Sequence, residues 1–171
     1  MKSEKLKMTI LGLIARESNH AYQLEKIIDQ EDLRAGMEIG FSTIYSTLKK
    51  LESGGYLKSE ISTQENLPSR KIYSITYAGK EYLRKVLKQS LFRPEFNYSK
   101  FDLALLFGDL IPKEEFLEAL DVYKVEINRR IKEIIDELTA TDSEQAYKKI
   151  ILNRRLELLK AEKKWLKELY I

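Results

Sequence analysis

A mainly α-helical chain carrying one small β-hairpin is the fold class this sequence predicts, and three observations predict it. Only 3 prolines and 7 glycines interrupt 171 residues, of which 33% are charged, a composition that favours helices with solvated faces. Apolar residues recur at three- and four-residue intervals through most of the chain, as on one face of a helix. Two short segments, residues 56–62 (YLKSEIS) and 71–76 (KIYSIT), alternate instead with a period of two around a polar stretch that contains Pro68.

The first helix is expected over residues 3–16, with Leu6, Ile10, Leu13 and Ile14 as its stripe. Met8 and Leu11 widen that face, so it needs more than one neighbour. Ser18 and Asn19 punctuate the chain and can cap a second helix, HAYQLEKIIDQ, with apolar positions at Tyr22 (or Ala21), Leu24, Ile27 and Ile28. Residues 31–40 hold two glycines and mixed charge and read as a connection. The third helix, FSTIYSTLKKLESGG over residues 41–55, has Phe41, Ile44, Tyr45, Leu48 and Leu51 on one stripe. Ser42 can cap its first turn, and Gly54 and Gly55 end it. Its other side carries Ser42, Thr43, Ser46, Thr47, Lys49 and Lys50, short hydroxyls and lysines that suit phosphate oxygens and base edges. Any amphipathic surface helix looks similar, so its neighbours decide the matter.

Three short helices followed directly by a hairpin form a winged helix-turn-helix. The segment TQENLPSR is too polar to be buried and makes the exposed tip of the wing. Arg70 and Lys71 lie on the returning arm, placed for phosphates or the minor groove.

The pieces HAYQLEKII, STIYSTLKKLESGGYLKSE and PSRKIYSITYAGKEYL, in this order over residues 5–90, resemble the PadR-type transcriptional regulators, a bacterial winged helix-turn-helix family. The resemblance implies a DNA-binding regulator whose longer members carry a helical C-terminal dimerisation region. It also implies that Tyr45 reaches a phosphate through its hydroxyl, although its ring fits the buried stripe, and Tyr22 has the same two readings. The chain departs from the family at Ala21 and Ser42, where glycine is usual, and at Ser46, where proline is common. Ser42 and Ser46 are therefore where its own DNA preference is to be sought.

A fourth helix is expected over residues 80–91, with Tyr82, Leu83, Val86, Leu87 and Leu91 on its apolar face, before Arg93 and Pro94 break the pattern. The domain boundary is placed there, giving a DNA-binding domain over residues 1–92 and a helical dimerisation domain over 93–171. The segment FDLALLFGDLI reads as a packing helix interrupted by Gly108 and Pro112. A long helix starts at Pro112 and Lys113, with Phe116, Leu120, Tyr123, Ile127, Ile131, Ile134 and Leu138 in step. Thr139 to Ser143 make a turn, with Ser143 or Asp142 as cap, and a last helix runs from about Glu144. It shows two seams: Tyr147, Ile151, Leu158, Trp165 and Leu169 on one, Leu152, Leu156, Leu159, Leu166 and Tyr170 on the other. Two seams need two partners, the preceding helix and a second copy of the chain, the alternative to that copy being the chain's own N-terminal domain. Five large side chains at roughly 1.5–3 kcal/mol each, before association costs, suffice for a dimer.

Catalysis finds little here. There is no cysteine, and the single histidine, His20, opens a helix. Carboxylates alternate with lysines and arginines along helices, the pattern of a solvated face, and neither a phosphate-cradling glycine loop nor metal-ligand spacing occurs. No catalytic residue, metal or cofactor is expected. The net charge is only +3. Residues 1–90 hold 15 basic against 11 acidic side chains (+4) and residues 91–171 hold 15 against 16 (−1), so the first half is the more basic. The apolar run at residues 8–15 is too short to span a bilayer, and a cytoplasmic protein is expected. The reading is a homodimeric, sequence-specific regulator, a repressor first of all, on a palindromic double-stranded DNA operator. Its contacts are expected at Tyr22, Ser42, Thr43, Tyr45, Ser46, Lys49, Lys50, Arg70 and Lys71. A small hydrophobic effector is an expected partner, with Trp165 as core, interface or cavity wall. The rival reading is an interaction scaffold that has lost DNA.

Overall fold

A computed structural model of the protein describes residues 2–31, 33, 40–62, 70–92 and 98–169, with the side chains of residues 2, 3 and 41 left aside. Expectations for the connection at residues 34–39, the wing tip at 63–69, the boundary at Arg93 and Pro94, the Phe41 side chain and Tyr170 fall outside these residues. The chain divides into two compact units, Met1–Phe96 and Asn97–Ile171.

In the first unit, α1 spans Lys2–Arg16, α2 Ala21–Gln30, α3 Phe41–Ser53 and α4 Tyr77–Phe92. Strands β2 (Leu57–Ser62) and β3 (Arg70–Ile75) pair antiparallel, from Leu57 opposite Ile75 to Ser62 opposite Arg70. A third strand, β1 (Asn19–His20), joins the other edge of β3, with Asn19 opposite Tyr73 and His20 opposite Ile72, so the order is β1-β3-β2. The expected hairpin is thus part of a three-stranded sheet. Two residues are too few to show a period, which is why β1 left no signal.

The core of this unit takes most of the residues on the expected stripes, with Ala21 buried in place of Tyr22, which is 65% exposed. Leu6, Ile10, Leu11 and Ile14 of α1 meet Ala21, Leu24 and Ile28 of α2 and Ile44, Leu48 and Leu51 of α3, with Leu57, Tyr73 and Leu83 closing the cluster. The three buried residues of α3 contribute about 1.5–3 kcal/mol each, enough to fix how the helix presents its other side. Gly55, at φ +74°, ends α3 in the left-handed conformation that glycine tolerates.

Helix α4 begins three residues earlier than its apolar pattern suggests. The Thr76 hydroxyl accepts from the Gly79 N–H at 3.0 Å and donates toward the carbonyls of Gly55 (2.7 Å) and Tyr56 (3.1 Å). It caps α4 and ties it to the end of α3. Leu83 and Val86 are buried, whereas Leu87 and Leu91, expected on the same face, are exposed. The packed face runs through Leu83, Val86 and Ser90, whose hydroxyl lies 3.7 Å from the Met8 sulfur of α1, and Leu87 and Leu91 fall to its side.

In the second unit, α5 (Lys100–Leu106) opens with a reciprocal cap between Ser99 and Asp102 and leads into a 3-10 turn, Gly108–Leu110. Pro112 stands at the cap of α6 (Lys113–Ala140), one residue before the position expected of it. Helix α7 (Ala146–Glu168) is preceded by Gln145, not capped by Asp142 or Ser143; those two bond to each other. Leu120 and Ile127 of α6 pack with Leu166 of α7, supported by Phe101, Phe116, Tyr123, Ile131 and Leu159. On the outer face of α6, Glu126 and Glu133 pair with Arg129 and Arg130, the solvated pattern expected. Among the described residues, no helix is long and apolar enough to cross a membrane.

Candidate nucleic-acid interface

Helix α3 is capped at Gly40, whose carbonyl accepts from the N–H groups of Thr43 and Ile44; Ser42 does not take the capping role expected of it. Ser42, Thr43, Ser46, Lys49 and Lys50 lie exposed on the side away from Ile44, Leu48 and Leu51. Thr47, expected among them, is buried. It follows Ile44 by three positions, so it flanks the stripe, and its hydroxyl is satisfied by donating to the Thr43 carbonyl at 2.7 Å. Ser46 donates to the same carbonyl at 3.0 Å while staying exposed. Tyr45 is 46% exposed, so its ring is not part of the buried stripe.

Beside this helix lies a cleft of about 360 Å³ lined by His20, Ala21, Tyr22, Tyr45, Arg70, Lys71 and Tyr73. It gathers four of the expected contact residues from three elements: Tyr22 at the start of α2, Tyr45 on α3, and Arg70 and Lys71 on β3. Strand β1 makes this possible, because pairing His20 with Ile72 carries the start of α2 to the wing. His20 does the local work there. Its Nδ1 accepts from the Gln23 N–H at 3.1 Å as the cap of α2, and its ring stacks on Tyr22 at 6.4 Å. Ser42, Thr43, Ser46, Lys49 and Lys50 do not line the cleft, although all five are exposed on α3.

Lys71 does not stand alone. Its ammonium lies 2.7 Å from Glu52 in the last turn of α3 and 5.3 Å from the centre of the Tyr73 ring. The Ser59 hydroxyl of β2 donates to the other oxygen of the same carboxylate. Hydrogen bonding from Lys71 and then Ser59 holds the Glu52 carboxyl below the usual range, and the Glu52 contact raises Lys71. Glu52 is a residue the sequence gives no reason to single out, since it becomes a partner only when the hairpin folds back on α3.

Residues 10–85 match the model of the transcriptional regulator PadR-like family. A curated relative, the negative transcriptional regulator PadR of Bacillus subtilis (strain 168), is 28% identical over 131 residues, 77% of this chain and 70% of that one. Over residues 10–85 the chain is similar to the PadR-like transcriptional regulators. The crystal structure of Bacillus subtilis PadR in complex with operator DNA matches at TM-score 0.76 and 23% identity, covering 95% of each chain. That of smu.1604c from Streptococcus mutans UA159 matches at 0.67 and 27%, over 95% of this chain and 96% of that one. The p-coumaric acid complex of Bacillus subtilis PadR matches at 0.70 and 22%, over 97% and 93%. The mainly helical winged fold is therefore that of PadR structures. The family model and the curated relative both name transcriptional regulators, and neither names an enzyme.

The two seams of α7 have different surroundings. Leu152, Leu156 and Leu166 are buried and Leu159 is partly so. On the other seam Tyr147 is 80% exposed, Ile151 52%, Leu158 53% and Trp165 40%. Leu169, expected with this second set, instead packs against the cluster of Leu120, Ile127 and Leu166; it lies just past the end of α7, where the helical spacing that placed it on the seam no longer applies. Trp165 meets the edge of Phe101, which stacks on Tyr123 at 4.0 Å. A cleft of about 360 Å³ lies among Phe101, Asp102, Leu105, Ala161, Glu162 and Trp165. At its side the Tyr123 hydroxyl donates to Glu162 at 2.7 Å, and burial followed by that carboxylate pushes the phenol upward. Among the described residues no group of acidic or histidine side chains is arranged to hold a metal.

Proposed function

We propose that this protein is a PadR-family regulator, a homodimeric, sequence-specific DNA-binding repressor that acts in the cytoplasm. The observation that carries the proposal is the convergence of Tyr22, Tyr45 and Arg70 on one cleft beside the exposed hydroxyl and lysine side of α3. On this reading α3 enters the major groove, with Ser42, Thr43 and Ser46 toward base edges and Lys49 and Lys50 toward phosphates. Tyr22, Tyr45 and Arg70 take the adjacent backbone. The relative named a negative regulator, and the Bacillus subtilis PadR structure bound to operator DNA, support the same direction.

Residues 1–92 serve as the DNA-binding domain and residues 93–171 as the dimerisation domain. The second copy covers the open seam of α7 at Tyr147, Ile151, Leu158 and Trp165, because four large apolar side chains are left uncovered there while the opposite seam is already buried. Two α3 helices held about 34 Å apart then require a palindromic site. A small aromatic effector releases the DNA; the p-coumaric acid complex of Bacillus subtilis PadR is the support for an effector of that kind.

Binding to a labelled duplex across a salt series tests this reading. A regulator that neutralises phosphates loses affinity steeply, with log K against log salt falling by about 0.9 per phosphate. An affinity that is flat in salt, or absent, returns the chain to the scaffold reading.

A further inference from the structure

The wing carries two adjacent basic residues, yet their surroundings differ. Arg70 is exposed on the cleft, and no ion pair or hydrogen bond engages its guanidinium among the described residues. Lys71 lies on Glu52, whose carboxylate joins three elements: it belongs to α3, accepts from Ser59 of β2 and holds Lys71 of β3. Because Ser59 stands directly opposite Tyr73, this carboxylate sits where both arms of the hairpin pass the end of α3.

We infer that Glu52 and Lys71 form an electrically silent strut that positions the wing on α3, and that Arg70 alone supplies the wing's phosphate contact. The inference rests on the DNA-binding reading above and refines it. A carboxylate this near a polyanion repels phosphates unless a cation stays on it. If Lys71 swung away to a phosphate, the negative charge of Glu52 would be left uncovered beside the DNA, and Ser59 would remain its sole described partner. The pair is half-exposed and salt-screened, so its role is one of geometry and charge cancellation. Tyr73 beneath the ammonium is buried and confines the lysine stem from the other side.

The strut makes a countable prediction, because only cations that neutralise phosphates release counterions. The full-length chain is titrated with a labelled random-sequence duplex of about 30 base pairs across a salt series, and slopes are compared. Arg70→Ala lowers the steepness by about 0.9. The double variant Glu52→Gln with Lys71→Gln removes one charge of each sign, keeps side chains able to hydrogen-bond, and leaves the slope at the wild-type value. Glu52→Gln alone releases Lys71 toward DNA and steepens the slope by about 0.9. Far-UV circular dichroism certifies that each variant is folded. A double variant whose slope falls by about 0.9 would show that Lys71 is itself a phosphate contact, and the inference fails while the DNA-binding reading stands. A wild-type chain without salt-dependent binding overturns both.

Discussion

Gly79, at the first turn of α4, is the position where one added carbon has the most legible consequence. A Cβ built there meets the Tyr56 carbonyl oxygen at 2.1 Å and Ile75 Cγ1 at 2.8 Å, where about 3.0 Å is the closest real approach. Two effects of Gly79→Ala oppose each other. Alanine favours the helix by up to about 1 kcal/mol. Relieving the clash requires a shift of about 0.9 Å, the difference between 3.0 and 2.1 Å. The obstructing atom is a backbone carbonyl that already accepts from the Thr76 N–H and from its hydroxyl, both at 3.1 Å. Moving it strains two hydrogen bonds worth about 1 kcal/mol each, on top of an overpacking cost of about 1–3 kcal/mol. The clash wins, with a net loss of about 2 kcal/mol. For a unit of about 96 residues that lowers Tm by about 8–16 °C. Thermal unfolding followed by circular dichroism reads the change, while fluorescence of Trp165, the single tryptophan and a residue of the other unit, reports the second unit separately. A Tm equal to or above wild type refutes the account of Gly79 as a sterically required glycine.

Other consequences are equally direct. Lys49→Ala and Lys50→Ala should each weaken duplex binding several-fold while dichroism and oligomeric state stay unchanged; unaltered affinity in both moves the DNA face off α3. Leu158→Asp combined with Trp165→Asp should give monomers in sedimentation, since two charges on the open seam of α7 cannot be desolvated cheaply; an undisturbed dimer places the interface elsewhere. The depressed pKa of Glu52 means its contribution to stability is present above the ordinary carboxylate range and is lost as pH falls through the folded value. Glu52→Gln should therefore flatten the acid side of a Tm-against-pH profile, and wild-type and variant profiles that run parallel below the carboxylate range would contradict it. Tyr123→Phe removes the hydrogen bond to Glu162 and should lower the stability of the helical unit by about 1 kcal/mol, measured by denaturant unfolding with Trp165 as the probe.

Local periodicity was enough to read most of the architecture. Ile44, Leu48 and Leu51 are buried where their spacing puts them, and the stripe from Phe116 to Leu138 faces inward along α6. These are properties of one helix and its geometry, so no partner has to be known. Thr47 and Tyr45 escaped that reasoning because each sits at the margin of the stripe, where burial depends on what packs beside it. Thr47 found cover and a carbonyl for its hydroxyl; Tyr45 faced the cleft instead.

By itself the sequence determined the helices, the hairpin, the exposed hydroxyl and lysine side of α3 and the existence of two seams on α7, since each is written in residues a few positions apart. Only the tertiary structure decided which seam of α7 is already occupied, that a two-residue strand brings Tyr22 to the wing, and that Glu52 takes hold of Lys71. Those outcomes join residues 19 to 54 positions apart in the chain. Their energies arise from burial and charge pairing across elements, which no local pattern encodes.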